Sequence, residues 1–357
     1  MAPGPGLRQS PLHDRHQALG AKLVAFGGWE MPLSYPQGTV AEHLSCRRRA
    51  AAFDVSHLGT VRLEGPGAFE ALQSALTNDL ARIGPGRAQY THLLDEDGSV
   101  LDDLIVWWVK PQRFDVMPNA SNTSRVRAAL GGRDVTDERA VIAVQGPEAR
   151  RLLAQVCPEA AAPGRFAVSR FSYRGAEAVA AGTGYTGEPG VECALAPEAA
   201  GDLWDRLVDT GVAPAGLGAR DSLRLEAGLP LHGHELGPGI TPLQAGLGWV
   251  VAWHKPDFPG KAALERERRY GPVRRLRGLL AAGRRPPRRH QAVLAGGRRV
   301  GEVTSGGFSP VLGRGIALAL LEASVGEGEE VEVDAPREAI ACQVVPTPFV
   351  APGVRRG

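Results

Sequence analysis

The feature that most constrains the fold is an order of elements that occurs twice in the first two-thirds of the chain. A glycine–proline turn at 65–67 precedes an amphipathic helix predicted at 68–76, and alternating strands follow it. A second glycine–proline turn at 146–147 precedes a helix predicted at 148–156, again followed by strands. The pattern predicts two α+β modules of related topology rather than a sequence repeat.

The last third of the chain has a different pattern. From about residue 273, short apolar strands alternate with glycine and proline turns, which is typical of a small all-β domain. A chain of 357 residues is long enough for three units, because a domain usually holds roughly 100–200 residues. The predicted fold class is therefore α+β with a C-terminal β domain.

Charge and hydropathy exclude several classes of protein. The 41 basic and 39 acidic side chains nearly balance, which argues against a protein that coats nucleic acid. No apolar run approaches the roughly 18 residues that a membrane span needs. Residues 1–10 lack the apolar core of a secretion signal and are interpreted as a disordered tail.

The cysteines and histidines do not form a metal or disulfide pattern. The four cysteines lie far apart, so we expect reduced thiols and a cytoplasmic location. His232 and His234 are too few for a metal site without nearby cysteine or carboxylate partners, and we assign no metal.

Two adjacent carboxylates are the most informative local feature. Asp102 and Asp103 lie inside the apolar run at 100–107, which is predicted to be a strand. Because neighbouring residues of a strand face opposite sides, we expect one carboxylate to point outward and the other into the protein. A carboxylate among apolar side chains needs a partner or a ligand. Alternatively, both residues end a hairpin and bond to backbone groups, and the sequence alone favours neither interpretation.

Two further segments place polar side chains in glycine-rich surroundings. The loop at 184–190 contains Tyr185 and precedes Glu192, but it does not match a phosphate-binding loop. Arg220 lies at a predicted helix start, where it is able to bind a ligand carboxylate or to form an interdomain ion pair. No dinucleotide-binding glycine pattern is found.

Arginines cluster where the C-terminal domain begins. Arg284, Arg285, Arg288 and Arg289 lie close together, interrupted by two prolines. Such a run is usually a solvated loop, but it is also able to steer an acidic protein partner or a polyanionic ligand. Nucleic acid is a third option, which the lack of interleaved aromatic residues disfavours.

Taken in order, ten segments resemble the aminomethyltransferase, or T-protein, family of the glycine cleavage system. Each segment alone is a weak signal, whereas the ordered set is highly specific. The resemblance covers the chain from about residue 11 to its C-terminus. The matching segments are LGAK (19–22), FGGWEMPL (26–33), FDVSHLG (53–59), TND (77–79), LDDLIV (101–106), NASN (119–122), QGP (145–147), TGYTGE (183–188), GLGARDSLRLE (216–226) and TSGGFSP (304–310).

The resemblance implies a three-domain cloverleaf around a central folate channel. Residues 11–60 and 140–224 would form the first α+β module, and residues 61–139 and 225–272 the second. Residues 273–357 would form a β-barrel.

The resemblance also implies a reaction. In this family the aminomethyl group carried on the lipoyl arm of the H-protein is transferred to tetrahydrofolate. Ammonia leaves, the reduced lipoyl thiol is restored, and 5,10-methylenetetrahydrofolate forms. We therefore expect tetrahydrofolate as cosubstrate and the lipoylated H-protein as partner, with no metal, nucleic acid or membrane. Because the H-protein is acidic in this family, the arginine cluster is its expected docking site.

Site residues follow from the same resemblance. Asp103 matches the family's central acidic residue, which would be catalytic and contact the folate where the one-carbon unit is received. Expelling ammonia and attacking a methylene carbon need a positioned proton carrier and a negative charge near the developing cation. Glu192 would bind the amino-pyrimidine edge of the pterin, and Arg220 a carboxylate or a pterin acceptor. The residues assigned to folate are Tyr90, Asp103, Asn119, Tyr185, Glu192 and Arg220.

The sequence departs from the family pattern at three positions near these motifs. Gly182 stands where the family often has Arg, Pro189 replaces a common Asp, and Trp107 occupies a position that is often Tyr.

Related folate-binding proteins are the alternative interpretation. The chain has no flavin-binding domain, which disfavours an oxidative demethylase, and it lacks the K-G-C-Y-x-G-Q-E loop of the iron–sulfur-assembly relatives. A folate storage protein without turnover is the third possibility, and only the three departures support it.

Overall fold

The computed structural model describes residues 6–353, and residues 1–5 and 354–357 lie outside the described part. Its strands are β1 Arg8–Gln9, β2 Lys22–Phe26, β3 Trp29–Ser34, β4 Ala51–Asp54, β5 Val61–Glu64, β6 Arg87–Leu94, β7 Val100–Lys110, β8 Arg113–Met117, β9 Arg133–Asp134, β10 Ala140–Gln145, β11 Val168–Tyr173, β12 Ala176–Ala181, β13 Gly190–Leu195, β14 Ala213–Pro214, β15 Arg274–Ala281, β16 Ala292–Ala295, β17 Arg298–Ser309, β18 Arg314–Glu322, β19 Glu330–Val333 and β20 Ile340–Val345. Its α-helices are α1 His13–Ala18, α2 Thr39–Arg48, α3 Ala68–Ala75, α4 Thr123–Leu130, α5 Ala149–Val156, α6 Pro158–Ala161, α7 Pro197–Asp209, α8 Leu217–Glu226 and α9 Lys261–Tyr270.

The first sheet has six strands in the order β11-β12-β13-β10-β4-β14. Its strand β10 is buried along its whole length because both faces of the sheet are covered. On one face Ile142 belongs to a cluster with Leu153 of α5 and Trp204 of α7, and on the other Val141 belongs to a cluster with Leu223 of α8. The unbroken apolar run of β10 is the pattern that such a strand requires.

The second sheet has five strands in the order β6-β7-β8-β5-β9, and α3 and α4 cover one face of it. Leu72 of α3, Val126 of α4 and Phe114 of β8 share its buried core. Strand β7 carries the two adjacent carboxylates, so its pairing with both neighbours decides where their side chains lie.

Strand β7 is irregular at the position of the carboxylates. Its pairing with β6 shifts by one residue, since Leu93 lies opposite Asp102 while Leu94 lies opposite Val100. Leu101 is therefore the extra residue of a β-bulge. The pairing of β7 with β8 begins only at Ile105, so the edge of β7 at 102–104 has no β8 partner.

The C-terminal strands β15–β20 form a closed barrel in the order β15-β18-β17-β16-β19-β20. Leu279, Val303 and Val333 are among the buried side chains of its core. The predicted fold class, α+β with a C-terminal β-barrel, is confirmed. In the described residues, no helix has the length and apolar character to cross a bilayer.

The strands of the six-stranded sheet and those of the five-stranded sheet each fall inside one expected module. The six-stranded sheet uses residues from 51–54 and 140–214, and the five-stranded sheet uses residues from 61–134. We propose the module bounds given above on this basis.

The predicted disordered tail is partly wrong. Residues 1–5 lie outside the described part, but Arg8–Gln9 pairs with β3 in parallel. The Ser10 hydroxyl donates to the buried Asp54 carboxylate, which also lies 2.9 Å from Nε2 of His16. A buried carboxylate needs such donors, and this need fixes the chain just before α1.

A buried carboxylate at the end of α8 joins the barrel to the rest of the protein. Oε2 of Glu226 accepts hydrogen bonds from Nε2 of His43 and Nε of Arg47, both at 3.0 Å. Its Oε1 accepts from the Ser309 hydroxyl and from the backbone N–H of Val311, which belong to the barrel. Glu226 is thus bonded to α2 and to the barrel through one carboxylate.

Replacing Glu226 tests this junction. Burial alone would raise the pKa of Glu226, but hydrogen bonds from His43 and Ser309 and the charges of His43 and Arg47 lower it below its usual range. In Glu226→Gln these donors lose their charged acceptor, so we expect denaturant unfolding to show a loss of about 3 kcal/mol at neutral pH. Because the folded-state pKa is lowered, the carboxylate stabilises the fold above its unfolded-state pKa. That stabilisation is lost as the pH falls through the folded-state pKa.

The loss of unfolding free energy caused by Glu226→Gln should therefore be smaller at acidic pH than at neutral pH. Glu322→Gln, which removes an exposed partner of Arg298, is the matched control and should change stability little. Equal effects of the two substitutions would contradict the role of Glu226.

Candidate functional site

Asp102 and Asp103 both contact one amide group. Nδ2 of Asn119 lies 2.7 Å from Oδ1 of Asp102 and 2.9 Å from Oδ1 of Asp103. Burial alternates between the two residues as expected of a strand, since Asp102 is fully buried and Asp103 only partly. Both carboxylates reach Asn119, which follows shortly after β8, because the edge of β7 is open at this point.

Both carboxyl groups have surroundings that favour a bound proton. Asp102 is fully buried, where it accepts from Nδ2 of Asn122 at 2.9 Å and from the backbone N–H of Asn119. Burial, and then the charge of Asp103, raise the pKa of Asp102 to about 7. Burial also raises the pKa of Asp103, although hydrogen bonds from Tyr90 and Asn119 oppose the rise. Two carboxyl groups this close titrate as a pair, and we infer that they share a proton near neutral pH.

Tyr90 connects Asp103 to the rim of the site. Its hydroxyl donates to Oδ2 of Asp103 at 3.0 Å, and burial together with that carboxylate raises the pKa of Tyr90, so the phenol keeps its proton. Its ring centroid lies 5.9 Å from that of Trp249, whose side chain is 63% exposed. An exposed ring near a partly buried carboxylate is a suitable surface for a flat, polar ligand.

Glu192 and Arg220 form a second polar group. Glu192 lies on β13 and Arg220 on the first turns of α8, with a closest N–O distance of 3.9 Å that is too long for a hydrogen bond. The Thr183 hydroxyl donates to Glu192 at 2.6 Å, and the Arg220 guanidinium lies 5.2 Å from the centre of the Tyr185 ring. In the described residues, Nη1 of Arg220 is buried without a hydrogen-bond partner. A carboxylate beside an unsatisfied guanidinium fits a ligand that carries both donors and acceptors.

The two groups are electrostatically linked through Tyr185. Burial raises the pKa of Tyr185 most, and the negative charge of Asp103 adds to the rise. The Tyr185 hydroxyl donates to the backbone carbonyl of Pro230. The structure thus gathers Tyr90, Asp103 and Asn119 around one carboxylate pair, and Tyr185, Glu192 and Arg220 beside it. Their roles toward folate stay a prediction.

His232 is a neighbour of the carboxylates that the motifs did not single out. Its Nδ1 lies 3.7 Å from Oδ1 of Asp102. One ring nitrogen of His232 and one carboxylate oxygen each of Asp102 and Asp103 lie within 4.8 Å of one another. The sequence places His232 in a loop far from β7, so it was considered only as a metal ligand without carboxylate partners. The structure supplies such partners, and the expected absence of a metal stays a prediction.

Gly182 and Trp107, two of the departures from the family pattern, lie in closely packed surroundings. At Gly182 a Cβ atom would lie 1.8 Å from the carbonyl oxygen of Gly164, so this backbone has no room for a side chain there. Trp107 is buried between the sheets in a cluster with Val179 and Ala181. Nothing in the structure explains Pro189.

The predicted arginine cluster lies on the barrel. Arg284, Arg285, Arg288 and Arg289 are exposed, and the last three line a groove of about 800 Å³. Arg289, which lines the groove, also donates to the backbone carbonyl of Gly233 in the loop that carries His232. The partner of the groove stays a prediction.

Removing the amide between the carboxyl groups tests whether they share a proton. In Asn119→Ala the pair loses donors that favour its charged form, so it should bind a proton at higher pH than in the wild type. The measurement is the infrared band of the protonated carboxylic acid, followed against pH with isotope-labelled aspartate. Gln37→Ala removes an exposed amide that donates to Pro214 and should leave this titration unchanged. Identical titrations of all three proteins would argue against the bridging role of Asn119.

Comparison with family models matches nearly the whole chain. The model of the GCVT N-terminal domain matches residues 12–255, and the model of the glycine cleavage T-protein C-terminal barrel domain matches residues 274–351. The boundary between the two models falls just before the barrel strands begin.

Individual proteins give the same result. The chain is 48% identical over 366 residues to an aminomethyltransferase of Mycobacterium tuberculosis, covering 98% of this chain and 99% of the relative. It is 48% identical over 364 residues to an aminomethyltransferase of Parafrankia, with the same coverage. The crystal structure of the glycine cleavage system aminomethyltransferase T from Bartonella henselae superposes with a TM-score of 0.91 at 37% identity, over 97% of this chain and 99% of that one. The chain therefore belongs to the aminomethyltransferase family of the glycine cleavage system, the T-protein family.

Proposed function

We propose that this protein transfers the methylene carbon of the aminomethyl-lipoyl H-protein to tetrahydrofolate and releases ammonia. Membership of the T-protein family supports this function over a related folate protein without turnover. The observation that carries the proposal is the carboxylate pair at Asp102 and Asp103, held by Asn119 and bordered by Tyr90. We assign tetrahydrofolate as cosubstrate, with no metal or nucleic acid, and a cytoplasmic location.

Asp103 is the proposed catalytic residue. A folate nitrogen that attacks the methylene carbon becomes positively charged and must lose its proton, while the departing amine must gain one. A carboxyl group whose pKa is raised by burial is a stronger base than an exposed one, so it is able to accept the first proton and to pass it on. Its negative charge also stabilises the cationic carbon from which ammonia leaves. Tyr90 and Asn119 fix the position of both carboxylate oxygens.

Glu192 and Arg220 are the proposed recognition residues for the folate. The amino-pyrimidine edge of a pterin has N–H donors that need an acceptor, which Glu192 provides. The ring or its carboxylate tail has acceptors that match the unsatisfied Nη1 of Arg220. Tyr185, whose ring lies against the Arg220 guanidinium, fixes the orientation of that group.

Replacing Asp103 tests the catalytic role. With aminomethyl-loaded H-protein and tetrahydrofolate, Asp103→Asn should release ammonia about 100-fold more slowly than the wild type, because the amide does not carry protons. Tetrahydrofolate binding, measured by titration, should change much less. Asp205→Asn, which alters an exposed ion pair with Arg15, is the control and should keep full activity.

Other outcomes of the same assay decide against the proposal. Ammonia release that needs no tetrahydrofolate and does not fall in Asp103→Asn would reject the role of Asp103. A wild-type protein that binds tetrahydrofolate but never releases ammonia would favour the storage interpretation.

The arginine cluster is the proposed docking site for the H-protein. Arg284, Arg285, Arg288 and Arg289 are exposed, the last three line one groove, and Arg289 bonds to the loop next to the carboxylates. A concentrated positive field attracts an acidic partner and is screened by salt.

Changing all four arginines to serine should raise the Michaelis constant for H-protein at low salt and flatten its dependence on salt. The double variant Arg298→Ser/Arg299→Ser removes two exposed charges from the same barrel and should keep the wild-type salt dependence. The same slope in the quadruple variant and the wild type would reject docking at this cluster.

A further inference from the structure

The stoichiometry of the proposed reaction requires two proton transfers. Each folate nitrogen loses its N–H proton as its electron pair forms a bond to the methylene carbon. The C–N and C–S bonds of the aminomethyl carrier break with their electron pairs, and the nitrogen and the sulfur each take up one proton. A single carboxyl group holds only one proton at a time, so a second carrier beside Asp103 would let one proton be stored while the other moves.

His232 lies where such a carrier is needed. Its Nδ1 is 3.7 Å from Oδ1 of Asp102. One ring nitrogen of the imidazole and one oxygen of each carboxylate lie within 4.8 Å of one another. The side chain is 12% exposed, and Nδ1 is buried without a hydrogen-bond partner in the described residues. A buried ring nitrogen at this distance from a carboxylate is able to take up a proton after a small movement.

The loop that carries His232 is held on both sides of the residue. The backbone N–H of Leu231 donates at 3.0 Å to the buried Glu235 carboxylate, which also accepts from Arg224 at 3.0 Å. On the other side, Arg289 of the barrel donates to the carbonyl of Gly233. These contacts fix the backbone next to the imidazole and limit the positions that the ring is able to reach.

The charged groups around His232 act in opposite directions. Burial lowers the pKa of His232, the carboxylate of Asp103 raises it, and the positive charge of Arg125 on α4 lowers it. Asp102 faces Nδ1 from β7. The charge of His232 in turn helps to lower the pKa of Asp103, so the protonation states of the two residues depend on each other.

We propose that His232 is a proton-relay residue that exchanges a proton with Asp103 during each turnover, a role that rests on the function proposed above. Asp103 accepts the proton of one folate nitrogen and passes it to Nδ1 of His232, which restores the carboxylate. Asp103 then accepts the proton of the second folate nitrogen. One of the two stored protons then passes to the amine and the other to the lipoyl sulfur, so the enzyme returns to its starting protonation state. His232 acts through Asp103, and Asp102 orients its ring.

The variant His232→Asn separates proton transfer from structure. The asparagine amide is able to donate toward Asp102 from nearly the position of Nδ1, but it does not titrate. We expect kcat for tetrahydrofolate-dependent ammonia release to fall about 100-fold, while the Michaelis constant for tetrahydrofolate changes less than about twofold. In the plot of kcat against pH, the change in rate that is due to the titration of His232 should disappear. In His232→Gly, added imidazole should restore part of the lost rate.

The control is His254→Asn, which changes an exposed histidine that bonds to Asp79 and should behave as the wild type. A kcat of His232→Asn that stays within about threefold of the wild type at every pH would overturn the relay. A rise in the Michaelis constant with unchanged kcat would also overturn it, because it would show a binding role. A wild type without tetrahydrofolate-dependent release would instead overturn the proposed function, and the two failures are therefore distinct.

A measurement without turnover tests the same coupling. Nuclear magnetic resonance of the imidazole nitrogens gives the pKa of His232 in the resting protein. Asp103→Asn removes the negative charge that raises the pKa of His232, so this pKa should fall in the variant. An unchanged value would overturn the exchange between the two residues, even if the variants of His232 fail to fold.

Discussion

Helix α8 is the element on which the arrangement of the site depends, because its polar side chains face three different parts of the protein. Arg220 lies near Glu192 at the start of the helix, and Arg224 bonds to Glu235 and to Ser305 of the barrel. Glu226 at its end bonds to α2 and to the barrel. Most of these groups are buried, so each must keep its partner or leave an uncompensated charge. These contacts hold the barrel, the loop of His232 and the Glu192–Arg220 group in fixed positions relative to one another.

Several elements could be predicted from the sequence, because local periodicity and turn residues determine them. The expected strand at 140–145 matches β10, and the expected helix at 123–130 matches α4. The contact that joins the two carboxylates could not be predicted in the same way. Alternation along a strand predicts that Asp102 and Asp103 differ in burial, but it does not predict that Asn119 reaches both across the open edge of β7. Neither the register shift nor the place where β8 stops pairing has a clear sign in the residue types.

Some site residues could likewise be predicted from the sequence, whereas others could not. The family motifs point to Asp103 and Arg220, but their partners come from distant segments whose contacts form only in the folded chain. His232 follows α8 and meets a strand more than a hundred residues before it. Ser10 was assigned to a tail because its surroundings in the sequence are polar and rich in glycine and proline. Its role depends on Asp54, whose carboxylate is buried and therefore needs hydrogen-bond donors. That burial is known only once the arrangement of the sheet is known.

The order of strands in the six-stranded sheet has a consequence for synthesis on the ribosome. Strand β4 is made early, but both of its neighbours, β10 and β14, come from residues beyond 139. The whole five-stranded sheet is translated between them, and its residues 61–134 are complete before β4 has any partner. A nascent chain therefore finishes its second sheet first and carries an apolar, unpaired strand in the meantime. For this fold, the interval between translating residue 54 and residue 145 is a period in which an unpaired strand exposes the growing chain to aggregation and to chaperone binding.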